Sequence, residues 1–252
     1  MHHTQGASLS GGIPLACSNT TCFKYDAEHD TWHSTGTFHQ SKNFAGYAFN
    51  KAMGLVVAGG QDGGVENTTD GVTFEVMTSL PSIGSVNCLA SPLEDTLIET
   101  GGDFRNKTSV FRARADTWTA IAKRSLPRYG SSCGVVTGPL GREVVIVGGL
   151  TPGEPDESNI TEIFNLKSKL WRHGDPFPNR EGIQYASVVQ IGDTMLVVGG
   201  NHCDESYCPS DKIFEYIPTS ESWELLPFTL KKKAYYTVSF LVPISLFPSC
   251  GT

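Results

Sequence analysis

Met195-Leu-Val-Val-Gly-Gly200 is a short apolar run closed by two glycines. It is long enough for a strand and too short for a helix. The same unit returns at Leu55-Val-Val-Ala-Gly-Gly60, Leu97-Ile-Glu-Thr-Gly-Gly102 and Val144-Val-Ile-Val-Gly-Gly149, with a weaker copy at Ser8-Leu-Ser-Gly-Gly12. Glycine pairs therefore end at positions 12, 60, 102, 149 and 200, at spacings of 48, 42, 47 and 51. Repetition at this period predicts a stacked array of similar units.

A large aromatic follows each pair: Trp32, Phe74, Trp118, Trp171 and Trp223. Phe23, Val65 and Phe214 stand nine residues before their aromatic, and Phe111 and Phe164 stand seven before theirs. This predicts two antiparallel strands whose turn varies by two residues. Leu80-Pro81, Leu126-Pro127, Phe177-Pro178 and Leu226-Pro227 then lead into a further strand-like run, such as 131–137 or 184–191. Each repeat reads as four short strands. The second unit differs, with Asp70-Gly71 as a hairpin signal and Phe74 in the place of a tryptophan; the stretch faintly resembles the Asp-box turn of sialidases.

A strand ending in Gly-Gly, a strand such as Phe23-Lys-Tyr25-Asp26 and a tryptophan strand such as Asp30-Thr-Trp32 together resemble the kelch repeat. The resemblance covers nearly the whole chain. It implies an all-β kelch-type β-propeller, one four-stranded blade per repeat around a central channel. About five blades are expected, as a single domain over residues 1–252. The first unit reads as starting mid-blade, and Ala234 to Val242 reads as a first strand within a closing segment, 234–250. Two readings stand: five blades closed by joining the terminal strands, or a truncated copy of a longer, six-bladed propeller.

The net charge of −7 argues against non-specific binding to nucleic acid or an anionic membrane. Residues 1–8 lack an apolar core of the signal-peptide kind. The apolar stretch Ala234–Phe247 is too short for a membrane span and carries Pro243, so no membrane insertion is expected.

Cys17 and Cys22, and again Cys203 and Cys208, are spaced C-x4-C behind the first and last glycine pairs, and predict two local loop disulfides. Cys88 and Cys133 fall in first strands of successive units and are expected as buried free thiols, a bridge between blades being the lesser reading. Cys250 is left odd. Asn19, Asn67, Asn106 and Asn159 head Asn-x-Thr sequons where chance gives about one. All four are expected in loops between second and third strands. Sequons and disulfides together predict an extracellular protein, with a cytoplasmic one as the alternative.

No nucleophile elbow, zincin motif, phosphate loop or dinucleotide fingerprint is present. The histidines do not match the copper site of galactose-oxidase-like propellers, so neither metal nor other cofactor is expected. In kelch-type propellers partners commonly dock on the loops after Gly-Gly and after Leu-Pro, which here carry Asp103, Phe104, Arg105, Arg128, Tyr129, Asn179, Arg180, His202 and Lys231–Lys233. Arg128, Tyr129, Arg180, Arg105 and His202 are the candidate binding residues, Arg128 and Arg180 standing in corresponding loops. The expected function is non-catalytic recognition of a protein or glycan. An intracellular kelch substrate adaptor of the ubiquitin-ligase type, and a propeller enzyme of the galactose-oxidase or sialidase kind, are the alternatives.

Overall fold

The computed structural model describes residues 4–60, 62–82, 84, 86, 88–102, 106–151, 159–179, 182–202 and 208–243. Five four-stranded antiparallel sheets form a β-propeller, each sheet taking its strands in chain order from the channel outward. Blade 1 is β1 (Thr4–Ser8), β2 (Pro14–Ser18), β3 (Thr21–Asp26) and β4 (Thr31–Thr37). Blade 2 is β5 (Ala45–Asn50), β6 (Gly54–Gly59), β7 (Val65–Thr68) and β8 (Glu75–Met77). Blade 3 is β9 (Cys88–Leu93), β10 (Thr96–Thr100), β11 (Thr108–Arg112) and β12 (Thr117–Ala120). Blade 4 is β13 (Ser132–Gly138), β14 (Gly141–Val147), β15 (Thr161–Asn165) and β16 (Leu170–His173). Blade 5 is β17 (Ser187–Ile191), β18 (Thr194–Val198), β19 (Ile213–Ile217) and β20 (Ser222–Leu225).

The apolar runs become the second strands because burial on both faces suits Val, Leu and Ile, and β6 and β10 are buried along their whole length. In blades 2 to 5 the glycine pair follows at once, every one of these glycines at positive φ. The reason is close approach as well as φ. A Cβ on Gly148 would lie 2.0 Å from the Ile183 carbonyl oxygen, and one on Gly199 would lie 2.5 Å from that of Ala234. The connection into the next blade thus runs directly over the glycine, and Gly149 and Gly200 N–H donate to the same two carbonyls at 2.8 Å.

The outer hairpins obey one spacing. Tyr25, Phe111, Phe164 and Tyr216 stand opposite Trp32, Trp118, Trp171 and Trp223, always seven residues apart, with ring centroids 4.9–5.3 Å apart. The turn expected to vary by two residues does not vary in these four blades. Phe23 and Phe214 face Ser34 and Leu225 instead. Each turn closes on a residue at positive φ two before the tryptophan: Asp30, Asp116, Lys169 and Glu221. Blade 2 closes on Gly71, with Asp70 Oδ1 accepting from Val72 and Thr73 N–H and from the Thr68 hydroxyl.

Among the described residues the core lies in four layers between successive blades rather than in one centre. Leu15, Leu55 and Phe74 mark the layer between blades 1 and 2; Val56, Leu97 and Phe111 that between 2 and 3. Ile98, Val144 and Phe164 mark the next, and Ile163, Val197 and Tyr216 the last. Indole N–H groups tie the layers: Trp118 and Trp171 donate to the carbonyls of Thr78 and Ala122 in the preceding blade, both at 2.9 Å, and Trp223 to Thr161 Oγ1 at 3.0 Å.

The two ends differ from expectation. Blade 1 has its own first strand, β1, and Gly11-Gly12 sits in a short 3-10 turn between β1 and β2 rather than after a second strand. The second strand is Pro14–Ser18, which the glycine marker misses because no glycine pair follows it. Residues 234–243 form no strand beyond a single bridge from Ala234 to Ser210; residues 244–250 of the expected closing segment lie outside the described residues. The segment instead crosses from blade 5 to blade 1. Ser8 Oγ donates to the Leu241 carbonyl at 3.0 Å, Phe240 packs 5.9 Å from Trp32, and Pro243 presses on Gly12.

Cys88 and Cys133, expected as free thiols, form a disulfide with Cα atoms 5.7 Å apart. β9 and β13 are the innermost strands of neighbouring blades and pack on each other, so corresponding positions converge at the channel. Cys17 and Cys22 form the second disulfide, opposite one another on β2 and β3. Cys208 is also disulfide-bonded, whereas Cys203 and Cys250 lie outside the described residues.

Candidate recognition face

One rim of the channel is built by the connections that enter each first strand. They hydrogen-bond one another at corresponding points: Val86 N–H donates to Phe44 O, Tyr185 N–H to Gly130 O, and Tyr236 N–H to Tyr185 O, at 2.8–3.1 Å. Phe44, Gly130, Tyr185 and Tyr236 all have φ between 51° and 68°. Glycine adopts this conformation freely; three aromatics at such positions are held there by the surrounding structure.

Glycine at 130 also makes room. A Cβ there would meet the Tyr185 ring at 2.6 Å, so that ring lies across the glycine backbone. The result is a row of tyrosines: Tyr129 to Tyr185 with centroids 6.2 Å apart, Tyr185 to Tyr236 at 4.0 Å, and Tyr236 to Tyr235 at 4.8 Å. All four are half-buried. Burial, followed by hydrogen bonding to Tyr236 and Tyr129, raises the Tyr185 hydroxyl far above its ordinary value, so it stays a neutral phenol. Lys231–Lys233 are exposed immediately ahead of Tyr235. Flat rings, phenolic hydroxyls and three cations in one place make a surface that can stack, hydrogen-bond and attract negative charge.

Arg128 does something else. It is fully buried, its Nη1 donating to the carbonyls of Gly148 (2.9 Å) and Ile160 (2.8 Å) and its Nη2 pairing with Glu162. Glu162 also accepts from Ser125 N–H and hydroxyl at 2.8 and 2.7 Å, and lies 3.7 Å from Arg124 Nη1. Burial alone would push the Glu162 carboxyl up; Arg128, Ser125 and Arg124 outweigh it and hold the group below its ordinary value. Burial, with Arg128 alongside, pushes the Arg124 guanidinium down to about 10. Arg124 occupies the place that Phe38, Leu80, Phe177 and Leu230 fill elsewhere, each N–H bonding back to the preceding loop. Arg128 is thus an anchor between blades 3 and 4, not an exposed contact.

Of the other expected binding residues, Tyr129 belongs to the tyrosine row. His202 is half-buried, with ring centroids 6.4 Å from both Phe177 and Phe214. Arg105 and Arg180, with Asp103 and Phe104, lie outside the described residues. Tyr185, Tyr235 and Tyr236 were not singled out from sequence; the signal was an aromatic followed by small polar residues shortly before a first strand.

The sequons divide. Asn19 is exposed in the β2–β3 turn, and Asn106 and Asn159 lie in loops between second and third strands, as expected. Asn67 lies within β7 instead, its Nδ2 donating to the Met53 carbonyl at 2.8 Å. Asn106 Nδ2 is likewise engaged, with the Arg124 carbonyl at 3.0 Å. His29 Nδ1 is 2.8 Å and His33 Nε2 3.7 Å from Asp26 Oδ2 on the exposed outer hairpin of blade 1. Among the described residues no three His, Cys, Asp or Glu side chains are grouped to hold a metal, and no helix is long and apolar enough to cross a membrane. No protein-family model matches the chain, and no curated protein matches it.

Proposed function

We propose that the chain is a kelch-type propeller serving as a non-catalytic, extracellular recognition module, which binds a protein or glycan at the Tyr129–Tyr185–Tyr236–Tyr235 rim. The single observation carrying this reading is the tyrosine row held beside Lys231–Lys233. Tyrosine gives large contact area at low conformational cost and is enriched where binding energy concentrates. Three lysines on a chain of net charge −7 make a local cationic patch that favours a partner carrying carboxylate or sulfate groups. The strand-Gly-Gly and tryptophan-strand repeat supports the kelch reading, and two disulfides among the described residues are compatible with an oxidising compartment.

The test is a binding screen of secreted protein against arrayed glycans and extracellular proteins, run in parallel with Tyr236→Ser and with Lys231–Lys233 all changed to Glu. The expected result is a ligand bound by the wild type and weakened at least tenfold in both variants, their thermal unfolding unchanged. Binding that both variants retain would place recognition elsewhere. Turnover of a bound ligand would replace the module by an enzyme.

A further inference from the structure

Between blades 3 and 4, on the opposite face from the tyrosines, lies a cavity of about 210 Å³. Its floor is apolar, made of buried Ile98, Val110 and Phe164 with half-buried Ile121. Arg112 and Lys169 are exposed on its lining, and among the described residues no carboxylate lines it. Arg112 Nη1 donates to Thr96 Oγ1 at 2.7 Å, and that hydroxyl in turn donates to Asp95 behind it.

The next blade interface shows how this place can be filled from within the chain. Counted from the tryptophan and the glycine pair, Thr119, Thr96 and Lys169 correspond to Arg172, Glu143 and Glu221 between blades 4 and 5. There the Arg172 side chain runs through the gap. Its Nη1 and Nη2 meet Glu143 at 2.8 and 3.0 Å, and its Nη2 meets Glu221 at 2.5 Å. At the blade 3–4 interface the long arm is replaced by threonine and the flanking acid by lysine. The space is left open and its charge is reversed.

We propose that this cavity binds a small amphipathic anion, an aromatic or short aliphatic carboxylate, with its apolar body on Ile98, Val110, Ile121 and Phe164 and its carboxylate between Arg112 and Lys169. The ligand is the charge-inverted counterpart of the Arg172 arm. The volume sets its size: it exceeds the roughly 150 Å³ that accommodates benzene and falls below the range of drug-sized sites. The site is independent of the tyrosine rim and of any partner bound there.

Phenylacetate and its neutral analogue 2-phenylethanol test it, by methyl NMR of the isoleucines in the whole chain. Phenylacetate is expected to shift the Ile98 and Ile121 methyl signals saturably with a dissociation constant of about a millimolar, the range open to so small a ligand. The alcohol binds at least about fivefold more weakly, since each rim cation contributes a modest factor. Arg112→Gln with Lys169→Gln weakens phenylacetate about five- to tenfold and leaves the alcohol unchanged. Thr119→Phe, at an exposed strand position on the lining, is expected to fill the cavity and abolish both, its thermal unfolding being measured alongside. No saturable shift in folded protein, equal binding of acid and alcohol, or binding that survives Thr119→Phe would each overturn the proposal.

Discussion

Gly148 and Glu162 show how single residues hold neighbouring blades together. At Gly148 a side chain would need both positive φ and space already taken by the Ile183 carbonyl. Gly148→Ala is therefore expected to cost about 2–4 kcal/mol, combining the left-handed penalty with overpacking. Gly141→Ala is the control, since its Cβ would meet nothing within 4 Å and only φ is strained. Urea unfolding compares the two, and equal losses would contradict the close-approach account. Glu162 pairs with buried Arg128 and lies beside buried Arg124, so Glu162→Gln takes away a buried counter-charge and should cost about 3–5 kcal/mol. Its carboxyl is held below the ordinary 4.5, so the stabilisation is fully present above that pH and is lost as pH falls through the depressed folded value. Between pH 7 and pH 3.5 the wild type should accordingly lose more stability than Glu162→Gln. The same loss in both would remove Glu162 from the acid response.

At the scale of elements, the four strands per blade were legible because short apolar runs, paired aromatics and turn residues are local signals. The partner of each tryptophan was harder to read. Phe23 and Phe214 are large and apolar, yet Tyr25 and Tyr216 face Trp32 and Trp223, because the pairing follows hairpin register rather than hydrophobicity. The interblade disulfide was harder still. Cys88 and Cys133 are 45 residues apart and adjacent only once two inner strands face each other at the channel. That separation predicts their weight: closing it removes about 4 kcal/mol of unfolded-chain entropy at 25 °C, against about 2 kcal/mol for the five-residue Cys17–Cys22 link. Paired alanine replacement of Cys88 and Cys133 should therefore lower the denaturation midpoint more than the same change at Cys17 and Cys22. The reverse order would mean that blade 3 and blade 4 hold their spacing without the staple.

At the scale of the molecule, the core is a stack of layers, and each layer carries its own specialisation. The layer between blades 4 and 5 is closed by Arg172, whereas that between blades 3 and 4 is stapled at the channel and open on the face opposite the tyrosines. The repeat made the propeller legible from sequence; the tyrosine rim was only partly so, since four residues from three connections become neighbours only in the ring. The measurement that tests the extracellular reading most directly is intact mass with disulfide mapping. It is made on protein secreted from eukaryotic cells behind an added signal sequence, before and after glycan removal and reduction. The account predicts Cys17–Cys22 and Cys88–Cys133 cross-links and a glycan on exposed Asn19, with Asn67 unmodified because it lies within a strand and its amide is engaged. Folded protein with free thiols throughout and no glycan would contradict it and favour an intracellular adaptor.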